Sequence, residues 1–355
     1  MRIGIVGLPN AGKTTLFNAI TKASADTAAY PFTTVEPNVA IVEVPDDRLA
    51  PVAAAAEASP LVPETIEFRD IAGLVRGASR GEGLGNRFLG EIRETDAICH
   101  VVRAHADDSI PHPDGRVDPV ADAEVVEAEL YLADLEQAER RLERVRKQAG
   151  SGAKEAVAER EWLERVVDAL GRGHPARGIP PPSLAPGSAA NLQALSSKPM
   201  LYVANVDEGV DGPPADLIAH AGESPCVAVS ARIEAELAEL TGDEATEMRI
   251  ELGIDEPGLA RLVRAAYDLL GLITFFTAHR GSEARARALG RGATAWDAAG
   301  RVHGDIQAGF VRAEVIGWRD LVDTGGYTPA RERALLRTEG RDYVVRDGDV
   351  ITIRH

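Results

Sequence analysis

The chain is poor in cysteine and in long apolar runs. It contains two cysteines among 355 residues, Cys99 and Cys226, and neither has the spacing to a second cysteine or a histidine that zinc sites use. We therefore expect neither a disulfide framework nor a zinc site. The longest nearly apolar stretch, residues 269–276, is too short to span a bilayer, and no charged leader region precedes the first apolar strand. These absences predict a cytoplasmic protein without a membrane segment.

The chain also lacks net positive charge. Its formal net charge is −17 at pH 7, which disfavours one continuous surface for nucleic acid because acidic groups repel phosphate. The charge is uneven, since residues 276–355 hold 13 arginines against 11 acidic residues, a local net charge of +2. This segment could contact RNA where the rest would not, although an ordinary mixed-charge surface explains the composition equally well.

A glycine-rich segment follows the first apolar strand. Residues 7–15 read GLPNAGKTT, which satisfies the pattern Gly-x4-Gly-Lys-[Ser/Thr] of phosphate-binding loops. Successive backbone amides and the N-terminus of the next helix supply a positive field for phosphates. Lys13 is expected to reach the β and γ phosphates, and the Thr14 hydroxyl to ligate Mg²⁺. The residues predicted to hold the nucleotide here are Asn10, Ala11, Gly12, Lys13, Thr14 and Thr15.

Two further elements follow in the order that nucleotide switch proteins use. Asp70-Ile-Ala-Gly73 ends a predicted strand and matches a DxxG element, in which the aspartate holds Mg²⁺ through water and the Gly73 amide senses the γ phosphate. Thr33 and Thr34 lie between this element and the phosphate loop, where a switch threonine completes the coordination of the metal. The predicted metal ligands are therefore Thr14, Thr34 and Asp70.

The loop expected to read the base departs from the Asn-Lys-x-Asp sequence of GTPases. Residues 205–208 read Asn-Val-Asp-Glu, so Val206 replaces the lysine that stacks on the base, and Glu208 is one methylene longer than the guanine-binding aspartate. A site built on such a fork can reject an analogue by about 10⁴, so its distortion should reduce guanine selectivity. The loop favours ATP over GTP. The alternative, that Asn205 only shapes a turn, is weakened by Ser230, which lies where a second base loop belongs.

Apolar patterns predict how the chain is organised. Short apolar runs that alternate with helical patterns predict a doubly wound, mostly parallel sheet, with strands at 2–6, 39–44, 65–70, 97–102, 200–204 and 227–229. From about residue 118, apolar residues at steps of three and four predict a long helix and a second helix that folds back on it. Their seams comprise Ala128, Tyr131, Leu135, Ala138, Leu142, Val145 and Ala149, and then Ala156, Leu163, Val166 and Leu170.

The remaining segments predict a connector and a small C-terminal module. Residues 171–199 are rich in Gly, Pro, Ser and Ala, which predicts a poorly ordered connector. The end of the chain predicts an α+β module with a hairpin around Asp347-Gly348. We therefore expect a discontinuous nucleotide-binding domain at 1–117 and 200–275, a helical arm with its connector at 118–199, and the small module at 276–355.

Together these segments resemble the YchF or Obg-like ATPase family of P-loop proteins over nearly the whole chain. The most specific matches are GLPNAGKTT at 7–15, YPFTT and EPN within 30–38, DIAGL and GASRGEGLG within 70–85, NVDE at 205–208 and GRDYVVRDGD at 340–349. The resemblance implies an α/β P-loop G domain with an inserted antiparallel helical hairpin and a C-terminal TGS domain of the β-grasp type. It also implies ATP preferred over GTP, and ribosome association in translation and stress responses.

The family also implies roles for single residues. It places Asn205 and the Val206 backbone at adenine. Leu74 stands where many GTPases have a catalytic glutamine, and an aliphatic side chain cannot orient water. His112 matches a family position proposed for that task, and a neutral imidazole can accept a proton from water. Asn10 matches an asparagine that helps to hold K⁺ in related P-loop proteins.

Two departures from the family pattern concern the nucleotide and the arm. His105 lies where the resemblance leads us to expect an aromatic residue near the nucleotide, and this difference affects the expected affinity for the nucleotide. Residues 171–199 lie where relatives are more helical, which concerns only the return path of the arm. The main hypothesis is a slow, monomeric ATPase that contacts the ribosome and its RNA through the arm and the TGS domain. The alternatives are a nucleotide-gated binding module with negligible hydrolysis, and an Obg-like GTPase of ribosome assembly in which Glu208 binds guanine.

Overall fold

Two six-stranded sheets organise the part of the chain that the structure describes. The computed structural model describes residues 1–27, 38–71, 84–107, 109–113, 115–150 and 152–355. The strands in these ranges are β1 (Arg2–Val6), β2 (Val39–Glu43), β3 (Leu61–Val62), β4 (Thr65–Asp70), β5 (Ala97–Ala104), β6 (Met200–Val206), β7 (Cys226–Val229), β8 (Leu272–Thr277), β9 (Ala284–Gly290), β10 (Arg312–Gly317), β11 (Arg337–Glu339) and β12 (Asp349–Arg354).

The helices in the same ranges alternate with the strands of the first sheet and flank those of the second. They are α1 (Lys13–Thr27), α2 (Leu49–Ala56), α3 (Leu84–Arg93), α4 (Pro119–Ala149), α5 (Lys154–Gly171), α6 (Ser188–Leu192), α7 (Ala215–Ala221), α8 (Ala231–Leu237), α9 (Gly242–Glu251), α10 (Gly258–Leu269), α11 (Ala295–Val302), α12 (Gly304–Ala308), α13 (Trp318–Thr324) and α14 (Tyr327–Glu332). Short 3-10 helices occupy Ala176–Gly178 and Leu195–Ser197.

Contacts divide the chain into two compact units. The first comprises Met1–Val42 and Glu67–Ala266, and the second comprises Glu43–Ile66 and Tyr267–His355. Residues 43–66, which the sequence analysis placed in the nucleotide-binding domain, thus pack with the C-terminal residues. In the second unit, the Arg48 guanidinium donates a 2.6 Å hydrogen bond to Asp347 and another to Asp46. The division into three domains stays a prediction.

The sheet of the first unit has the order β2-β4-β1-β5-β6-β7. Neighbouring strands from β4 to β7 run parallel, as the alternating pattern predicted. Strand β6 is buried along its whole length and β5 along all but its last residue, as expected for parallel strands that are covered on both faces. The doubly wound, mostly parallel fold is confirmed, and its strand ends create one edge where loops converge.

Helices α4 and α5 form the inserted hairpin that the apolar seams predicted. The Asp118 side chain accepts a 3.0 Å hydrogen bond from the Ala121 amide, and Pro119 occupies the first helical position, so two signals fix the start of α4. The distal seam is confirmed in one shared core with Trp162. Its buried residues are Ala138, Leu142 and Val145 from α4, and Leu163, Val166 and Leu170 from α5.

The predicted seam is wrong at its proximal end, where Ala128 is exposed. Tyr131 and Leu135 are partly buried and pack against the shared core of the hairpin, as predicted. Helix α4 has 31 residues and α5 has 18, so the first half of α4 extends past α5. This half packs instead on the first sheet and its flanking helices, which we call the sheet domain. A different stripe of the helix therefore faces inward there. It comprises Ala123, Val126, Leu130 and Ala133.

The connector at 171–199 is folded, contrary to the prediction of poor order. Asp134 on α4 is fully buried, and its carboxylate accepts 2.7 Å hydrogen bonds from the Leu195 and Ser196 amides and one of 2.6 Å from the Ser196 hydroxyl. The Trp162 indole donates to the Ile179 carbonyl at 3.1 Å. Composition predicted disorder because the segment has few core residues, whereas remote polar groups fix its backbone.

The sheet of the second unit has the order β11-β10-β12-β8-β9-β3 and is mixed. Strand β12 pairs antiparallel with β10 and parallel with β8. The predicted α+β fold is confirmed, but the hairpin around Asp347-Gly348 is wrong, because Val344 forms a bridge with Thr294 instead of pairing with β12. Asp349 holds this turn by accepting from the Arg346 amide at 2.9 Å.

Both cysteines carry free thiols, Cys99 buried in β5 and Cys226 partly buried in β7. Within the described ranges, no helix combines the length and the apolar character that a membrane crossing requires. The same ranges contain no group of three or more His, Cys, Asp or Glu side chains that could hold a metal ion by themselves.

Removal of the Asp134 carboxylate should loosen the connector. Asp134→Ala leaves the Leu195 and Ser196 donors buried without an acceptor, which should cost roughly 2–3 kcal/mol of local stability. We expect faster limited proteolysis within 171–199 and a lower thermal unfolding midpoint. Glu136→Ala removes an exposed carboxylate from the same helix and should change neither measurement. Equal rates of proteolysis within 171–199 in the two variants would contradict the role given to Asp134.

Candidate nucleotide-binding site

Four loops and the end of β4 converge at the carboxyl edge of the first sheet. In register, Ile5 on β1 lies beside Asp70 on β4, and Val6 lies beside His100 on β5. Because parallel strands share one carboxyl edge, the segments after β1, β5, β6 and β7 meet there, beside Asp70 at the end of β4. The predicted site residues at this edge are Asn10, Ala11, Gly12, Lys13, Thr14, Thr15, Asp70, His112, Asn205, Val206, Glu208 and Ser230. Thr34 and Gly73 lie outside the described residues.

The glycines of the phosphate loop stand where no side chain fits. A Cβ atom on Gly7 would lie 2.3 Å from the Val101 carbonyl oxygen, and one on Gly12 would lie 2.2 Å from Asn205 Nδ2. Gly12 also has a φ of +95°, which L side chains rarely adopt. Asn10 has a φ of +65°, a region that asparagine tolerates better than most residues. The loop is therefore packed tightly against β5 and against the carboxyl end of β6.

Lys13 is a buried cation near the Asp70 carboxylate. Its side chain donates a 2.8 Å hydrogen bond to the Leu8 carbonyl, and the residue is 7% exposed. Burial lowers the pKa of Lys13 to about 8, while the Asp70 carboxylate opposes this shift. Phosphate oxygens would return to the ammonium the charge stabilisation that burial removes. This arrangement is prepared for an anionic ligand.

The chemistry of Thr14 and Asp70 fits Mg²⁺. Thr14 is exposed at the start of α1, and Asp70 ends β4 with a partly buried side chain. Burial raises the pKa of Asp70, and the Lys13 ammonium counteracts that rise. Hydroxyl and carboxylate oxygens are the ligands that Mg²⁺ prefers, usually together with water and substrate phosphates. Two protein donors are thus enough for a nucleotide-dependent metal site.

The Asn205 side chain connects the phosphate loop to the β7 loop. Its Nδ2 donates to the Ala11 carbonyl at 3.1 Å, and its Oδ1 accepts from the Ala231 amide at 3.1 Å. The residue is 6% exposed. Asn205 therefore positions the loops around the site. Its predicted contact with adenine stays a prediction.

The other base-loop residues share one cavity. Val206, Glu208 and Ser230 line a cavity of about 450 Å³ that extends toward Glu234 and Arg261. The Val206 side chain is buried in the core of the sheet domain, so it cannot extend over a base as a lysine would. Glu208 is exposed at the rim. The structure thus brings the three predicted residues together.

The loop after β5 is held by a buried arginine that sequence reasoning missed. The Arg103 guanidinium donates to the carbonyls of His105, Ile110 and Asp107 at 3.3, 2.9 and 2.7 Å. Burial lowers the pKa of His105, and the nearby Arg103 charge adds to the effect. An arginine inside the apolar run of β5 was the available signal, because a buried charge needs several partners.

His112 is buried in the same loop. Its Nε2 lies 2.8 Å from Asp122 Oδ2, and the side chains are 6% and 7% exposed. The Asn10 side chain donates to the neighbouring Pro111 carbonyl at 3.0 Å, which places the loop against the phosphate loop. Sequence reasoning missed Asp122, which stands in the first turn of α4. The water-positioning role of His112 stays a prediction.

Two family models match different parts of the chain. The model for the C-terminal domain of YchF GTPases, described as a protein of unknown function, matches residues 272–355. The model described as a 50S ribosome-binding GTPase matches residues 2–140. The two matches fall on the C-terminal sheet and on the phosphate-loop half of the first sheet.

Full-length relatives carry the same name. The chain is 49% identical to the ribosome-binding ATPase YchF of Bacillus subtilis (strain 168), over 99% of this chain and 98% of that protein. It is 46% identical to the protein of the same name from Escherichia coli O157:H7, with the same two coverages of 99% and 98%. The structure of the Schizosaccharomyces pombe YchF GTPase matches with a TM-score of 0.87 and 32% identity, over 100% of this chain and 97% of that chain. The chain therefore belongs to the YchF family of P-loop proteins.

Proposed function

We propose that this protein is a Mg²⁺-dependent switch that binds ATP in preference to GTP and hydrolyses it slowly. The observation that carries the proposal is the base loop at 205–208. Its second residue, Val206, is packed into the core and offers only backbone to a base, and Glu208 stands exposed at the rim of the cavity. A guanine fork needs a carboxylate held close to the base, and an exposed, longer side chain is poorly suited to that.

The residues around the phosphate loop would bind and orient the triphosphate. The backbone of the loop and the start of α1 present amides to the phosphates, and Lys13 supplies a partly desolvated cation. Thr14 and Asp70, with Thr34 as an expected third ligand, would hold Mg²⁺, which neutralises charge on the phosphates. Asn10 is the residue that we assign to K⁺. His112 would accept a proton from the attacking water.

The partner that we propose is the ribosome. The relatives at 46–49% identity are named ribosome-binding ATPases, and one family model is described as ribosome-binding. The net charge of −17 disfavours one continuous RNA-binding surface, so contact through the C-terminal domain, where residues 276–355 carry a local net charge of +2, fits the charge distribution best. Contact through the arm is proposed from the family resemblance. We also propose that the protein is cytoplasmic and monomeric and regulates translation under stress.

A GTPase is the second candidate, because the relative from Schizosaccharomyces pombe is named a GTPase. The two candidates differ in one measurable ratio, the affinity for ATP relative to GTP. We expect the native protein to bind MgATP at least about tenfold more tightly than MgGTP, which a guanine fork would reverse. Equilibrium binding of both nucleotides to one sample measures this ratio, and equal affinities would contradict the proposal.

Variants of the base loop should move that ratio. Glu208→Asp, alone and with Val206→Lys, restores the acid and the lysine that bind guanine, and should shift preference toward GTP by about tenfold. Glu223→Asp shortens another exposed glutamate outside the cavity and serves as the matched control. The single variant decides the outcome if lysine at the buried position 206 impairs folding.

Nucleotide binding should also take up a proton at alkaline pH. With a pKa of about 8, Lys13 is mostly neutral at pH 9 in the free protein, and phosphates should return it to the charged form. We expect uptake of about one proton per MgATP at pH 9 and roughly a tenth of that at pH 7. Calorimetry in buffers of different ionisation enthalpy measures the uptake.

Lys13→Arg is the control for that measurement. The guanidinium stays charged at both pH values, so this contribution to proton uptake should disappear even if affinity falls. Uptake that is the same at pH 7 and pH 9 in the native protein would show that Lys13 is already charged before the nucleotide binds.

His112→Ala tests the hydrolytic part of the proposal. Loss of a general base typically lowers the rate by about 10²-fold or more, whereas binding of the triphosphate should be retained because His112 does not belong to the phosphate loop. Steady-state hydrolysis and equilibrium binding separate the two effects. His174→Ala, at an exposed position just after α5, should leave both unchanged. Unchanged turnover in His112→Ala would favour the nucleotide-gated binding module.

A further inference from the structure

The loop after β5 lies between the phosphate loop and the first turn of the arm. On one side, Asn10 donates to the Pro111 carbonyl at 3.0 Å. On the other side, His112 Nε2 lies 2.8 Å from Asp122 Oδ2 on α4. The loop that carries His112 is therefore attached both to the residues that would hold the nucleotide and to the helix that forms the arm.

The pair of His112 and Asp122 is withdrawn from solvent. The two side chains are only 6% and 7% exposed, although both belong to surface segments of the sheet edge. A residue that positions an attacking water must offer a ring nitrogen to that water. In this arrangement one nitrogen is within hydrogen-bond distance of a carboxylate, and the ring is almost wholly covered. The imidazole is thus held by the carboxylate and shielded from solvent, and it must move before it can contact an attacking water.

Asp122 is itself fixed in place. Its amide donates to the Asp118 carbonyl at 3.0 Å, and Ala123 beside it is fully buried in the core of the sheet domain. Helix α4 begins at Pro119, three residues earlier, with Asp118 as its cap. The carboxylate is thus presented by a rigid first turn, while His112 belongs to a loop.

We propose that Asp122 is a positioning residue that holds His112 in a resting position, and that hydrolysis requires this pair to open. The inference rests on the proposed role of His112 in hydrolysis. It assigns to the arm a function in the reaction, because the residue that retains the imidazole belongs to the arm helix. In this role Asp122 acts on the reaction through His112.

Weakening the pair should raise the intrinsic rate. Asp122→Asn keeps an oxygen that can accept from the imidazole but removes the charge, and Asp122→Ala removes the acceptor. We expect kcat for ATP to increase by several-fold in the first variant and by about tenfold in the second, with unchanged KM and unchanged ATP affinity. Glu124→Ala, an exposed acidic residue in the same part of α4, is the matched control and should have the native kcat.

The double variant Asp122→Ala with His112→Ala shows whether the gain passes through the imidazole. Its kcat should equal that of His112→Ala alone. A gain that persists without His112 would overturn the proposal, as would an unchanged or lowered kcat in both Asp122 variants. A lowered kcat would mean that the carboxylate orients the ring productively. If Asp122→Ala does not fold, as judged by its thermal unfolding, Asp122→Asn decides the outcome.

The proposed role of His112 and the proposed role of Asp122 are tested by separate results. If His112→Ala has the native kcat, the proposed role of His112 fails, whatever the Asp122 variants do. If His112→Ala lowers kcat and the Asp122 variants do not raise it, only the storage of His112 by Asp122 is wrong, and the proposed ATPase function stands.

Discussion

The side-chain amide of Asn205 determines how the loops of the nucleotide site meet. It joins the Ala11 carbonyl to the Ala231 amide, and Gly12 packs so closely against it that a methyl group there would clash. An asparagine side chain can make four hydrogen bonds, two as donor and two as acceptor. Two are used within the protein, so one N–H and one lone pair of Asn205 take no part in joining the loops. The phosphate loop and the loop after β7 are thus coupled through one residue.

The buried charges of Lys13 and Asp70, at the carboxyl edge of the first sheet, stabilise each other only in part. Burial lowers the pKa of Lys13 and raises that of Asp70, and each charge partly compensates the other. A ligand that supplies both negative oxygens and a metal ion compensates both buried charges at once. The pairing of Lys13 with Asp70 is therefore expected to favour a metal–triphosphate over either component alone.

The sequence predicted the features that depend on neighbouring residues. The phosphate loop, the strand ends at Asp70 and Asn205, and the distal seam of the arm are local patterns, and the parallel sheet follows from them. It missed features that depend on a distant partner. Asp134 orders the connector from another element, and the proximal half of α4 packs on the sheet domain instead of on α5.

The same distinction between local patterns and distant partners applies to the candidate site. Lys13, Thr14 and Val206 could be named because their motifs specify residue type and spacing. Arg103 and Asp122 could not, since their functions depend on which loop folds over them. An arginine in an apolar strand carried a signal, whereas an aspartate in the first turn of a helix is too common to carry one.

The elements around His112 differ in how firmly they are held. The base of the arm is fixed by apolar burial and by Glu127, which accepts hydrogen bonds from the Tyr202 hydroxyl at 2.6 Å and lies 2.9 Å from His220 Nε2. The hydrogen bond from Asn10 to the Pro111 carbonyl is exposed, so water competes for both groups. Arg103 holds the loop as far as Ile110, so the short segment from Pro111 to His112 is the less firmly held side of the pair with Asp122. A movement of the phosphate loop should therefore displace His112 more easily than a movement of α4 displaces Asp122. A partner bound to the arm would have to move α4 as a rigid body to separate the same pair.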